Sequence, residues 1–232
     1  MIIAGIVGEN GRVDPPRDEA ELRLRLQRRA GLPLSAIAAR HALPVPDDLR
    51  RSKGWVGQLL ERALGATSAS RAQPDFPELG IELKTIPVDE AGRPLESCFV
   101  ASLDLSAVDL RWEISSVRKK LLRVAWVAVQ GSKQIPLAER RCGAALIWSP
   151  SLEEEEALRA DYESIVELLQ DGVRVTGHTG VFLQLRPKGR DAKSLRWALD
   201  EEGAVSRTAP RAFYLRRSFT ETLLTKHFTL PG

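Results

Sequence analysis

The spacing of apolar positions along this chain changes several times, and each change marks an element. Over residues 18–30 an acidic start, Leu22 and Leu26 four apart, and the stops Gly31 and Pro33 predict a helix. The alternation Leu22, Leu24, Leu26 also permits a strand there. Ser35 is expected to cap a short second helix that ends near His41, before Pro44. A third helix, over about residues 53–64, turns Trp55, Leu59, Leu60 and Leu64 inward, and small residues over 65–73 follow as a loop. Apolar and alternating runs then predict strands over 80–88, 97–103, 123–130 and 144–148. Gly92-Arg93-Pro94 is a turn that would join the first two as a hairpin-like pair. Ser115 or Ser116 opens a basic helix toward Leu122. Ser149-Pro150-Ser151 ahead of Glu153 to Glu156 predicts a helix running toward Leu169, because acids suit the positive end of the helix dipole. A strand over 180–186, a loop over 187–190, a helix over 191–199 and a last helix over 218–227 complete the chain. Strands interspersed with helices give a mixed α/β (α+β) class.

At 232 residues the chain is long enough for one domain, or one domain divided into two lobes, and at 43% hydrophobic it can build a proper core. Residues 1–17 read as a poorly ordered extension and 18–232 as the domain. The apolar start, Met1 to Val7, lacks a basic flank and runs into Gly8-Glu9-Asn10-Gly11, unlike a signal peptide. With no apolar stretch of membrane-spanning length, a soluble cytoplasmic protein is expected. Cys98 and Cys142 are too far apart for a Cys-x-x-Cys site and read as buried thiols; His41, His178 and His227 are scattered.

The net charge of +3 conceals an uneven distribution. Residues 111–141 carry 8 basic against 2 acidic groups, and 174–232 carry 11 against 5. Between them, 151–171 holds 8 acids and 1 base. Charge runs are ordinarily solvated faces. Here the basic ones cluster near loops and helix starts and interleave with Trp112, Trp126, Phe213 and Tyr214, which points toward a nucleic acid.

The candidate chemistry lies in Pro74-Asp75-Phe76-Pro77-Glu78-Leu79-Gly80-Ile81-Glu82-Leu83-Lys84-Thr85. On a strand, Glu82 and Lys84 project from one face while Ile81 and Leu83 project from the other. Asp75, in the preceding loop, could fold back beside Glu82. Two carboxylates near one ammonium suit a hard divalent cation and an activated water, the equipment for cutting a phosphodiester. The competing reading is an ion pair between residues two apart on the surface. A second acid-x-Lys, Asp191-Ala192-Lys193, follows the turn-like Arg186-Pro187-Lys188-Gly189-Arg190, so Asp191 reads as a helix cap.

Several motifs in order resemble the MutH family of mismatch-repair endonucleases: Lys53-Gly54-Trp55-Val56-Gly57, Leu59-Leu60-Glu61, the Asp75 segment through Val88, and Gly92-Arg93-Pro94-Leu95-Glu96. The likeness continues through Ser116-Val117-Arg118-Lys119-Lys120-Leu121, Ile147-Trp148-Ser149-Pro150, Gln184-Leu185-Arg186-Pro187-Lys188 and Phe213-Tyr214-Leu215 to His227-Phe228. The resemblance implies a restriction-endonuclease-like fold, with a mixed central sheet flanked by helices and two lobes forming a cleft for duplex DNA. It implies Mg²⁺ held by Asp75, Glu82, the Leu83 carbonyl and Glu61, with Lys84 at the reacting phosphate and Lys53 and Lys120 nearby. Arg186, Pro187, Lys188 and Tyr214 match positions that contact the recognition sequence and sense its adenine methylation. The implied activity is nicking of the unmethylated strand at hemimethylated GATC by a monomer. A MutL-like ATPase is the implied activator, since the chain has no phosphate-binding loop of the G-x-x-x-x-G-K type. Alternatives are a restriction enzyme of the same fold that cuts both strands, and a DNA-binding module without activity.

Overall fold

The computed structural model of the chain describes residues 13–49, 52–68, 73–103, 111–171, 173, 175–188, 196–199, 205–208 and 210–228, the backbone alone for 196–199, 205–208 and 228. Two compact units interleave along it: Met1–Glu96, Arg123–Trp148 and Leu224–Gly232 form one, Ser97–Leu122 and Ser149–Leu223 the other.

In the first unit three helices precede the sheet: α1 (Glu19–Gln27), α2 (Leu34–Arg40) and α3 (Trp55–Leu64). Asp18 caps α1 by accepting from the Glu21 N–H at 2.7 Å, which decides the helix over the strand alternative. The start of α2 is set by Pro33 rather than by a Ser35 cap. Pro33 bridges to Arg141, and the Leu34 N–H donates to the Arg140 carbonyl, so the chain turns helical directly afterwards. The sheet runs β1 (Glu82–Val88), β3 (Val124–Gln130), β4 (Cys142–Trp148), with β1 parallel and β4 antiparallel to β3. Its core joins Leu22 and Leu26 of α1, Leu34 and Ile37 of α2, Leu59, Leu60 and Leu64 of α3, and Ile81, Leu83 and Val127. Each such side chain contributes about 1.5–3 kcal/mol on burial.

Arg25 of α1 and Arg29 just beyond its end tie α3 in place. Arg25 donates to the carbonyls of Leu64 and Asp14, and Arg29 donates to that of Ala63, so cations sit where the helix dipole is negative. Gly65 follows α3 at φ +85, and a Cβ there would stand 2.3 Å from the Asp14 carbonyl oxygen. Of the segment 1–17 expected to be poorly ordered, 1–12 lie outside the described residues, while Asp14 is held by Arg25 and Pro16 is buried.

The second unit holds β2 (Cys98–Ser102), α4 (Ser116–Leu121), α5 (Leu152–Gln170), β5 (Leu183–Pro187), β6 (Arg196–Leu199), β7 (Val205–Thr208) and β8 (Arg211–Leu215); the last helix is α6 (Arg217–Phe228). Its sheet is β2-β8-β5, antiparallel throughout, and β6 pairs with β7 as a separate ribbon. Ser151 and Glu154 form a reciprocal cap at the start of α5. Inside α5, buried Asp161 accepts from the N–H groups of Val181, Phe182 and Leu183 at 2.5–2.8 Å, ordering the entry to β5. Gly180 turns at φ +86, where a Cβ would meet the Leu183 carbonyl oxygen at 2.3 Å.

Three expectations are corrected. The strands β1 and β2 form no hairpin: they lie in different sheets, and Val88 and Pro94 make only a single bridge. Pro94 lacks the N–H that a longer ladder requires. The helix expected over 191–199 is strand at 196–199, paired with β7; residues 191–195, including the Asp191 cap and Lys193, lie outside the described residues. The third is β8, whose residues were assigned to no element above yet form the centre of its sheet. The expected mixed α/β class is borne out: helices accompany small sheets, of which the mixed one belongs to the first unit. Among the described residues, no helix is long and apolar enough to cross a membrane.

Candidate active site

A tight backward fold creates the carboxylate site. Phe76 and Ile81 exchange backbone hydrogen bonds around the turn Pro77–Leu79, closed by Gly80 at φ +64. That returns the chain on itself, so the Asp75 side chain, eight positions before Leu83, accepts from the Leu83 N–H at 2.8 Å. The Asp75 carbonyl is pinned from the other side by the N–H groups of Thr67 and Ser68, just beyond α3. The expected return of Asp75 to the start of β1 is therefore a product of local backbone bonding.

On β1, an edge strand, Glu82 donates its N–H toward β3, to the Arg123 carbonyl, while Leu83 donates to Asp75. In an extended strand the N–H and C=O of one residue point the same way. The Leu83 carbonyl therefore opens on the Asp75 side. The Leu83 side chain enters the core, and Glu82 and Lys84 project together from the other face. Lys84 Nζ lies 3.2 Å from Glu82 Oε1, with the residues only 6% and 4% exposed. An ion pair is present, as the competing reading held, but it is buried rather than at the surface. Desolvation roughly cancels the attraction in such a pair, so it adds little to stability and invites a chemical explanation.

The donor set here is oxygen: two carboxylates and a backbone carbonyl, which suits a hard cation such as Mg²⁺. Among the described residues, no three Asp, Glu, His or Cys side chains converge as a metal cage. Mg²⁺ does not need one, since it commonly takes one or two carboxylates and completes its shell with water and substrate phosphate. Glu61 is half-buried on α3, with its carbonyl accepting from Gly65 and Ala66. Lys53 is exposed just before α3. Lys120 belongs to the second unit, largely buried on α4.

Of the residues expected to read DNA, Arg186, Lys188 and Tyr214 gather on one face of the β2-β8-β5 sheet, while Pro187 alternates to the other. Register sets Tyr214 between Phe99 and Gln184, and Arg186 opposite Ala212. The Arg186 guanidinium lies 5.7 Å from the Tyr214 ring centre and donates to Ser97 Oγ at 2.7 Å. Phe99 meets Tyr214 edge-on at 5.6 Å, and Lys188 Nζ sits 4.7 Å from the Phe99 ring centre and 3.0 Å from Ser102 Oγ. Pro187 is exposed at the end of β5. Tyr214 is half-buried, not a core residue. Phe99, Ser97 and Ser102 were missed in the sequence, where nothing signals that β2 is the neighbour of β8. Conversely, Trp112, Trp126 and Phe213, grouped above with the basic runs, are each at most 3% exposed and serve the cores. Arg118 of the basic helix pairs with Glu155 at 2.8 Å, so part of that charge is already spoken for.

Burial holds the Cys142 thiol up, at about 11, despite the nearby Arg29. Cys98 is half-exposed rather than buried.

The family model described as "DNA mismatch repair enzyme MutH" matches residues 64–161. The DNA mismatch repair protein MutH of Serratia proteamaculans is 50% identical over 217 residues, covering 92% of this chain and 95% of that protein. The MutH of Citrobacter koseri is 48% identical, with 95% and 97% covered, and that of Vibrio campbellii 50%, with 92% and 96% covered. With its carboxylate strand and its cation-aromatic sheet face both inside the aligned length, the chain belongs to the MutH family of DNA mismatch repair enzymes.

Proposed function

We propose that this protein is the Mg²⁺-dependent endonuclease of methyl-directed mismatch repair, nicking the unmethylated strand at hemimethylated GATC. The observation that carries the proposal is the buried Glu82–Lys84 pair with Asp75 folded back onto Leu83. Charges of both signs sealed on one strand face are explained by work on a phosphodiester better than by stability. Asp75, Glu82 and the Leu83 carbonyl would hold the ion, with Glu61 acting through one of its waters. When bound, the ion supplies polarisation of the scissile phosphate and a more acidic water. Glu82 fixes the direction of the Lys84 ammonium, which donates to the attacking water or to charge growing on the phosphate. Such a donor is worth roughly 10²–10³ in rate.

Lys53 and Lys120 neutralise neighbouring phosphates. Arg186 is suited to bidentate contact with guanine O6 and N7, and Pro187 and Lys188 extend that contact along the DNA. Tyr214 presents its ring where an adenine methyl group would approach. One such site in a monomer cuts one strand per binding event. Any ATP dependence belongs to a MutL-like partner.

The test is cleavage of matched unmethylated, hemimethylated and fully methylated GATC duplexes with and without Mg²⁺. Nicking confined to unmethylated strands, lost in Asp75→Ala and Glu82→Ala while DNA binding persists, is the expected result. Parental nicking by either variant would overturn the site, and double-strand cutting of all three duplexes would overturn the methyl-directed function.

A further inference from the structure

A cavity of about 230 Å³ lies within the second unit, lined by Val175, Thr176, Gly177, Leu185, Arg186, Pro187 and Arg211. Its lining shares the backbone of β5 at Arg186 and Pro187 with the DNA-reading site and adds Arg211, which neither site above uses. Arg211 opposes Pro187, and Arg186 opposes Ala212, so by strand alternation Arg211 projects from the sheet face opposite Tyr214. Only 9% of Arg211 is exposed, and its Nη2 is sealed from solvent with no hydrogen-bond acceptor among the described residues. A buried guanidinium is expensive unless its charge is met. Among the described residues no carboxylate lines the cavity. The carbonyls of Gly177, Thr179 and Gly180, which would repel an anion, are taken by Arg216.

We infer that this cavity is an oxyanion site, built to receive a phosphate group on Arg211. The fork of N–H donors on a guanidinium matches the oxygens of a phosphate, and partial burial strengthens the bond. The phosphate group can come from a DNA backbone or from free phosphate, and the two are separable. Only the DNA arm below rests on the endonuclease proposal.

Thermal unfolding of the parent, Arg211→Met and Arg211→Lys is followed in inorganic phosphate and in chloride of equal ionic strength. For a Kd of about 1 mM, phosphate at about 50 mM shifts the parent's folding equilibrium by about 50-fold. Arg211→Met should fold in chloride at least as stably as the parent, having lost a buried charge, and should gain nothing specific from phosphate. Arg211→Lys, which keeps the charge and loses the fork, should retain a reduced response. An equal phosphate response in parent and Arg211→Met, no response in either parent or Arg211→Lys, or a destabilised Arg211→Met in chloride would each overturn the site. For the source, the salt dependence of duplex binding is compared. A log–log slope shallower by about 0.9 in Arg211→Met identifies a DNA phosphate. An unchanged slope beside an intact phosphate response identifies a free one.

Discussion

Lys84→Met takes away the ammonium 3.2 Å from Glu82 Oε1 and leaves a carboxylate with 4% exposure without that cation. Breaking a buried pair from one side costs about 3–5 kcal/mol, a large share of the roughly 5–15 kcal/mol that holds a domain folded. At an m-value of about 2 kcal/mol/M, the urea midpoint should fall by about 2 M. The double variant Glu82→Gln/Lys84→Met removes both charges at nearly constant volume. Neutral replacement of a whole buried pair ranges from harmless to stabilising, so its midpoint should recover to near the parent's. Nicking should not recover, because a donor worth roughly 10²–10³ in rate and the carboxylate proposed to hold the metal are both gone. Urea unfolding and Mg²⁺-dependent nicking of a hemimethylated GATC duplex are measured on the parent, both single variants and the double. Stability restored while activity stays lost separates a pair kept for chemistry from one kept for structure. A double variant as unstable as Lys84→Met, or one that nicks at the parental rate, refutes the reasoning.

Asp161→Ala deprives the Val181, Phe182 and Leu183 N–H groups of a shared carboxylate and should cost about 3 kcal/mol or more, read as a lower urea midpoint; an unchanged midpoint means that the loop finds its own partners. Cys142 contributes to pH dependence with a definite sign. Its thiol ionises at an ordinary 9.0 when unfolded but at about 11 when folded, so the unfolded state sheds its proton first and stability falls as pH rises between those values. At about 1.36 kcal/mol per pH unit this loss reaches up to about 3 kcal/mol, and it should vanish in Cys142→Ala when the two proteins' unfolding is compared from pH 8 to pH 11. Tyr214→Ala should narrow the nicking ratio between unmethylated and methylated strands, whereas Arg186→Ala should slow every GATC duplex by about 1–3 kcal/mol of lost base contact. Full methyl discrimination by Tyr214→Ala would move the sensor elsewhere.

Local bonding explains why so much of the fold is legible along the chain. Asp18, Ser115 and Ser151 each accept from an N–H three residues on, so the helices they open are written in a few adjacent positions. The inward face of α3 and the alternation of β1 follow equally from period. Ser35 fails as a cap because a distant segment, Arg140 to Arg141, pairs at Pro33 first. The 196–199 strand and β8 were hidden for the same reason: each owes its state to a partner ladder, not to its own pattern.

For the site, the sequence by itself determined which residues face together on β1, and its motifs determined the family to which the chain belongs. Glu82 and Lys84 share a side because a strand has period 2, whatever surrounds it. Only the tertiary structure decided that the pair is buried, and that Trp126 and Phe213 serve cores rather than DNA. It alone set Phe99 against Tyr214 and left Arg211 beside a cavity, across ladders joining residues 98–102 and 183–187 to 211–215. Burial and long-range register depend on which surfaces meet, and that is a property of the whole packed chain rather than of any window within it.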